Sequence, residues 1–147
     1  MVAAKGKSKK KVKAQKSQSL LRGKSSIAPP PEVEYLCFNF KSLDRTQGQT
    51  PKDWEESGLL SKFLERLRDL GDKDVPEALN SRYFATYTEF PKKTKFKHPV
   101  HIQDDAKWAR IRLQNKERII GHLVRNVFFV VFLDKYHEFY ITEKKDT

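Results

Sequence analysis

The sequence predicts an α+β domain: one strand, two helices, then a three-stranded antiparallel meander completing a small sheet, with a disordered basic arm in front. Three observations carry that prediction. The C-terminal third holds three short segments with strand-like alternation separated by turn residues. Residues 53–70 repeat leucine and phenylalanine at helical spacing. The first 31 residues hold nine Lys and Arg, no acid and almost no large apolar side chain.

A segment of that composition cannot bury enough apolar surface to offset the entropy of ordering it. Pro29-Pro30-Pro31 closes it as a stiff spacer. The chain of 147 residues is long enough for one domain and short for two. The expected organisation is an arm over 1–31 and a single α+β domain over 32–147.

The first strand is expected over Val33–Lys41, with Leu36, Phe38 and Phe40 on one side and Tyr35, Cys37 and Asn39 on the other. Ser42–Pro51 reads as a loop containing Gly48. A helix comes next over Asp53–Leu70: Leu59, Leu60, Phe63, Leu64, Leu67 and Leu70 share a face, and Lys62, Glu65, Arg66, Arg68 and Asp69 fill the other. Gly71 is placed to end it, and Ser57 could cap a helix starting beside Gly58 after an irregular turn. A second helix is expected over Pro76–Arg82, with Asp74 as its cap and Pro76 in its first turn. Tyr83–Asp105 reads as a loop with one short extended piece, longer than a structureless connection should be.

Trp108–Leu113 then alternates cleanly, with Ala109, Ile111 and Leu113 facing one way and Trp108, Arg110 and Arg112 the other. A turn at Asn115-Lys116 leads to a strand over Arg118–Val124, a tight turn at Arg125-Asn126 and a last strand over Val127–Leu133. That strand is apolar on both sides, as a central strand of a covered sheet should be. Asp134–Tyr140 leaves it carrying Tyr136, His137 and Tyr140.

The formal net charge of +11 is unevenly spread. Beyond the arm the balance is only +2, yet Lys92–Arg125 holds ten basic residues against three acidic ones. Such segregation can make a face for a polyanion, and it is also what a solvated surface looks like. The single cysteine, Cys37, rules out an internal disulfide framework and reads as a small core residue rather than a nucleophile. The longest apolar run is too short to span a bilayer, so no membrane association is expected. No apolar stretch succeeds the basic N-terminus as a secretory signal requires, so the chain is expected in the cytoplasm. Of four histidines only His98 and His101 are closely spaced, and no Cys or acidic partner completes a zinc pattern. No phosphate-binding loop, dinucleotide fingerprint or nucleophile elbow is present, so neither a metal nor a cofactor is expected.

Register decides what the hairpin of the two arginine-bearing strands displays, because a one-residue slip flips every side chain. A two-residue turn sets Arg112 opposite Ile119 and mixes the faces. A three-residue loop sets Arg112 opposite Arg118 and Trp108 opposite His122 and segregates them, and burial favours it. One face then shows Trp108, Arg110, Arg112, Arg118 and His122, with Lys107 at the start of the strand. Guanidinium groups pair bidentately with phosphate, and an aromatic ring stacks an unpaired base. The competing expectation is that these arginines pair with Asp or Glu of the helices. Metal-free RNA cleavage also needs a base for the ribose 2′-hydroxyl and an acid for the leaving oxygen, roles open to His137 and Tyr140.

The order strand, helix, helix, three antiparallel strands resembles the RelE/ParE toxin superfamily. The likeness is carried by Trp108-Ala-Arg-Ile-Arg-Leu, Lys116-Glu-Arg-Ile-Ile-Gly, Val127-Phe-Phe-Val-Val-Phe-Leu-Asp and His137-Glu-Phe-Tyr140. It implies an mRNA endonuclease acting free or on the ribosome and neutralised by a cognate antitoxin protein. Arg110, Arg112 and Arg118 would handle phosphate there, with His137 and Tyr140 as the terminal catalytic pair. The basic arm and the long Tyr83–Asp105 loop depart from the pattern. A reading from another class is a non-catalytic RNA- or ribosome-binding protein using the arm and the basic face. A third is an interaction module docking a partner chain by strand addition.

Overall fold

The structure, a computed structural model, describes residues 32–142, so the expected arm lies outside the described residues. The chain divides into two units, Met1–Val33 and Glu34–Thr147, and the helices and strands of the described residues belong to the second. β1 (Cys37–Asn39) precedes three short helices, α1 (Pro51–Glu56), α2 (Leu60–Gly71) and α3 (Val75–Asn80). Then come β2 (Phe84–Thr86), β3 (Lys107–Arg112), β4 (Arg118–Val124) and β5 (Val127–Asp134). The strands form one mixed sheet in the order β1-β5-β4-β3-β2, with β1 parallel to β5 and the other pairs antiparallel.

The α+β class and the C-terminal meander agree with the sequence, and two details differ. The single helix expected over Asp53–Leu70 is two helices, because Gly58 takes a left-handed backbone, φ +73°, that breaks the ladder. Ser57 closes α1 rather than capping α2, its hydroxyl donating to the Asp53 carbonyl at 2.8 Å. α1 begins instead with a capping box of Thr50 and Asp53. The periodic apolar residues, Leu59 to Leu70, all follow Gly58, so the later helix start beside Gly58 that the sequence offered is the one the structure adopts. The second difference is β2. The short extended piece after Tyr83 pairs with β3, so the sheet gains an edge strand. α3 starts as expected, with the Asp74 carboxylate accepting from Glu77 N at 2.9 Å.

The hairpin register is the segregating one: Arg112 pairs with Arg118 and Trp108 with His122. The β4–β5 turn is the two-residue Arg125-Asn126, with Arg125 at φ 55°. On one face of the sheet Ala109, Ile111, Ile119, Phe128, Val130 and Leu133 meet Trp54, Phe63, Leu67 and Leu70 of the helices. On the other, Trp108, Ile120, Val131 and Phe132 meet Phe96, Ile102 and Ala106 of the loop after β2, and Phe139 beyond β5. The long loop is therefore a second covering layer, and β5 is buried on both sides as its composition required. Cys37 is not a core residue: it sits exposed on the edge strand β1. Phe40 likewise remains 47 % exposed.

A bulge in β5 shifts the register between Ile120 and Gly121, placing Phe132 opposite Ile120 and Val130 opposite Gly121. Without the extra residue Val131, strict alternation would put Asp134 on the helix face. With it, Asp134 faces the loop side opposite Arg118. Gly121 makes the close approach possible: a Cβ there would collide with the Phe129 carbonyl and the Phe128 ring. Among the described residues no helix is long and apolar enough to cross a membrane.

Candidate nucleic-acid interface

The end of β3, the start of β4 and the end of β5 lie side by side, so three arginines and one acid come together on the loop face. Arg110 is half-buried and Arg112 exposed. Arg110 Nη1 donates to the Tyr83 carbonyl at 3.3 Å. Arg118 is half-buried, with Nη1 donating to the carbonyls of Asn115 at 2.8 Å and Glu117 at 3.0 Å. Its buried Nε has no partner. Among the described residues none of the three forms an ion pair with a carboxylate. Pairing with helix acids, the competing expectation, is thus absent from the described arrangement. Burial, and then the neighbouring charges of Arg110 and Arg112, lower the Arg118 pKa. An unsatisfied buried donor costs about 1–3 kcal/mol, and like charges add to it, so the cluster is held together at the expense of stability.

Asp134 organises the turn after β5. Its carboxylate is 1 % exposed and accepts from the backbone N–H of Glu138 and of Phe139, both at 2.9 Å. Burial raises its pKa, against the two amide donors and the charge of His137. This turn carries His137 at φ 58°, a left-handed conformation that a non-glycine residue adopts where surrounding structure imposes it. Burial, and next the charge of Arg118, lower the His137 pKa below the usual histidine value, while Asp134 pulls the other way. Burial and the Arg118 charge both favour the uncharged imidazole.

Two tyrosines complete the cluster. Tyr140, 43 % exposed, stacks flat on Tyr87 with ring centroids 4.8 Å apart and planes 3° off parallel. The Tyr87 hydroxyl is pushed up to about 12 by burial, against the charges of Arg110 and Arg118 and a hydrogen bond from Arg110. It remains a neutral O–H at any physiological pH. An open groove of about 290 Å³ continues past Tyr140, lined also by Lys92 and Lys93.

The structure thus gathers Arg110, Arg112, Arg118, His137 and Tyr140 and separates the rest. Trp108, expected on display, has no exposed surface. It is stacked on Phe132 at 5.9 Å and enclosed by Phe90, Phe139 and His98. The alternation placed it on the correct face, but the loop covers that part of the face, so it offers no ring to a base. His122 is 7 % exposed, stacked on Phe129 at 5.0 Å, its pKa lowered by burial and then by His101 and Lys41. It too is packed inside rather than displayed. Lys107 is exposed but opposite Leu123 at the far end of β3, about 16 Å from Arg112 at the rise of an extended strand.

Sequence reasoning missed Tyr87 and Asp134. Tyr87 lies where no periodicity marks a face. Asp134 carried a usable signal, an acid ending an apolar strand, the kind of residue that hydrogen-bonds a turn just beyond it. His98 and His101 diverge, His98 Nδ1 lying 3.0 Å from the Pro99 carbonyl and His101 Nε2 2.9 Å from that of Ser42. Among the described residues no three His, Cys, Asp or Glu are grouped so as to hold a metal ion. Chemically, the cluster can grip an anion with three guanidiniums, accept a proton at His137 and stack a planar ring on Tyr140. No protein family, no curated protein and no solved structure matches this chain.

Proposed function

We propose that the chain acts on single-stranded RNA at the strand-end cluster, as a metal-independent endoribonuclease of the RelE kind. One observation carries the reading: three guanidiniums with no carboxylate partner converge beside a histidine whose neutral form is favoured. Three cations facing the single buried acid Asp134, with no direct ion pair, leave an excess of positive charge that fits an anionic ligand, and the fork of arginine fits phosphate oxygens. In this reading Arg110, Arg112 and Arg118 hold the non-bridging oxygens and stabilise the charge that grows on them. His137 takes the proton of the ribose 2′-hydroxyl as its oxygen bonds to phosphorus. The bond from phosphorus to the 5′ oxygen breaks, and the Tyr140 hydroxyl gives that oxygen a proton. The products are a 2′,3′-cyclic phosphate and a 5′-hydroxyl end. The proposed partners are RNA or the ribosome as target and a cognate antitoxin as inhibitor. The third helix, the edge strand β2 and the covering loop depart from the order of elements on which the toxin resemblance rests.

A second reading, a non-catalytic RNA- or ribosome-binding protein, is favoured by the flat stacking of Tyr140 on Tyr87. That geometry supplies a platform for an unpaired base as readily as a proton. Combining His137→Gln with Tyr140→Phe separates the two. The endonuclease reading predicts at least about a hundredfold loss of cyclic-phosphate ends with RNA affinity kept. A wild-type chain that binds RNA and yields no such ends selects the binding protein.

A further inference from the structure

A second group of arginines lies next to the first, on the other side of Arg112. An open cleft of about 430 Å³ is lined by Arg66 of α2, by Arg82 and Tyr83 after α3, by Arg112, and by Gln114 and Asn115 of the β3–β4 turn. Two cations contact the Tyr83 ring: the Arg66 guanidinium is 3.4 Å from its centroid and that of Arg82 is 4.9 Å. Arg82 Nη2 donates to the Tyr83 hydroxyl at 2.7 Å, and Arg66 Nη2 to the Leu113 carbonyl at 2.7 Å. Arg66 Nε is buried without a partner.

Among the described residues neither Arg66 nor Arg82 forms an ion pair with a carboxylate. Of the acids nearby, Asp69 pairs with Arg68 at 3.4 Å, the Glu117 carboxylate accepts from Asn115 N at 3.1 Å, and Glu65 lines the adjoining groove without an ion pair to either arginine. Contact with one ring and one hydrogen bond each, from Arg66 to a carbonyl and from Arg82 to the Tyr83 hydroxyl, restrain these guanidiniums while leaving donors unused. A fixed fork with unused donors loses little entropy on closing over a tetrahedral oxyanion. We propose that this cleft binds a phosphate group of the RNA strand outside the reacting diester, extending the strand-end cluster by one subsite. The proposal rests on the RNA reading of that cluster. Arg112 belongs to both groups, which makes the cationic surface continuous from the cleft to Arg118.

Two measurements on the full chain test it. The first is affinity for a fully 2′-O-methylated, hence uncleavable, RNA across a salt series. Arg82→Ala is expected to weaken binding about three- to tenfold and to reduce the salt slope by about 0.7, the value for one lost phosphate contact on a single strand. Arg82→Lys restores the slope, and Arg68→Ala, on the opposite side of α2, changes neither quantity. The second is titration with inorganic pyrophosphate, monitored at the backbone amides of Gln114 and Asn115. These signals are expected to move in the wild-type chain and to stay still in Arg82→Ala. Intact RNA binding with an unchanged slope in Arg82→Ala and no amide shifts overturns the cleft alone. Amide shifts in a chain that binds no RNA overturn the assignment to RNA, and the functional reading with it.

Discussion

The helix face of the sheet is covered by elements whose apolar residues recur at fixed spacing, Phe63, Leu67 and Leu70 among them, and it is apolar throughout. The opposite face is covered by the loop after β2 and by Phe139, and it changes character along its length. At one end lie Trp108, Ile120 and Phe132, closed over by Phe90, Phe96 and Phe139. At the other lie Arg110, Arg112 and Arg118, left partly open. A helix laid along a sheet covers a face evenly. An irregular segment can cover one part and stop, and the boundary where it stops supplies charged groups next to a low-dielectric wall, where their fields act strongly on a ligand.

Four substitutions or conditions sharpen this contrast. The largest effect belongs to Trp108→Ala, expected to cost about 3–5 kcal/mol of unfolding free energy in a denaturant titration. A loss below about 1 kcal/mol would show that the loop face is no core. Gly121→Ala is next, at about 1–3 kcal/mol, because its Cβ meets backbone across the bulge. The same change should displace Asp134 and so alter the His137 titration measured by NMR, which a plain loss of helix-face packing would leave in place.

Acidification comes third. Burial lowers the pKa of both His122 and His137, so between their folded values and the ordinary 6.5 the unfolded chain binds more protons. Their contribution to stability is whole above pH 6.5 and is lost as pH falls through the lowered folded values. The two histidines should therefore lower the melting temperature on going from pH 7 to pH 5, against Asp134, whose raised pKa acts in the opposite sense, and His122→Gln with His137→Gln should flatten the drop. In the endonuclease reading the acidic limb of the rate profile also lies below 6.5. The smallest effect on stability is that of Arg118→Met. Relief of burial and of repulsion by two neighbours opposes the loss of two hydrogen bonds to carbonyls and of the attraction to Asp134, so unfolding free energy should change by no more than about 1 kcal/mol, while RNA-dependent activity falls.

The same contrast explains what the sequence made legible. Period-two alternation in Lys107–Val124 settled which side chains share a face, and the register came with it because only one choice segregated the arginines from the isoleucines. Helical spacing located α2 and its buried side. What covers a face is a non-local matter, and the loop residues Tyr87, Phe90 and Phe96 bear no period, so Trp108 and His122 read as exposed when they are not. The bulge at Val131 left no mark in a run apolar on both sides, and the role of Asp134 was hidden with it. The cleft around Arg66 and Tyr83 joins residues brought together only by the tertiary fold, beyond the reach of spacing rules.

Guanidiniums without carboxylate partners, open to phosphate, are the centre of the functional reading, and one binding measurement reaches them directly. Affinity for single-stranded RNA is to be compared at about 150 mM salt, where screening confines charge effects to about 8 Å, between the wild-type chain and Arg112→Glu combined with Arg118→Glu. At least a tenfold loss, with the melting temperature maintained, is expected. Equal affinity in a folded double variant would contradict the assignment of this surface to RNA.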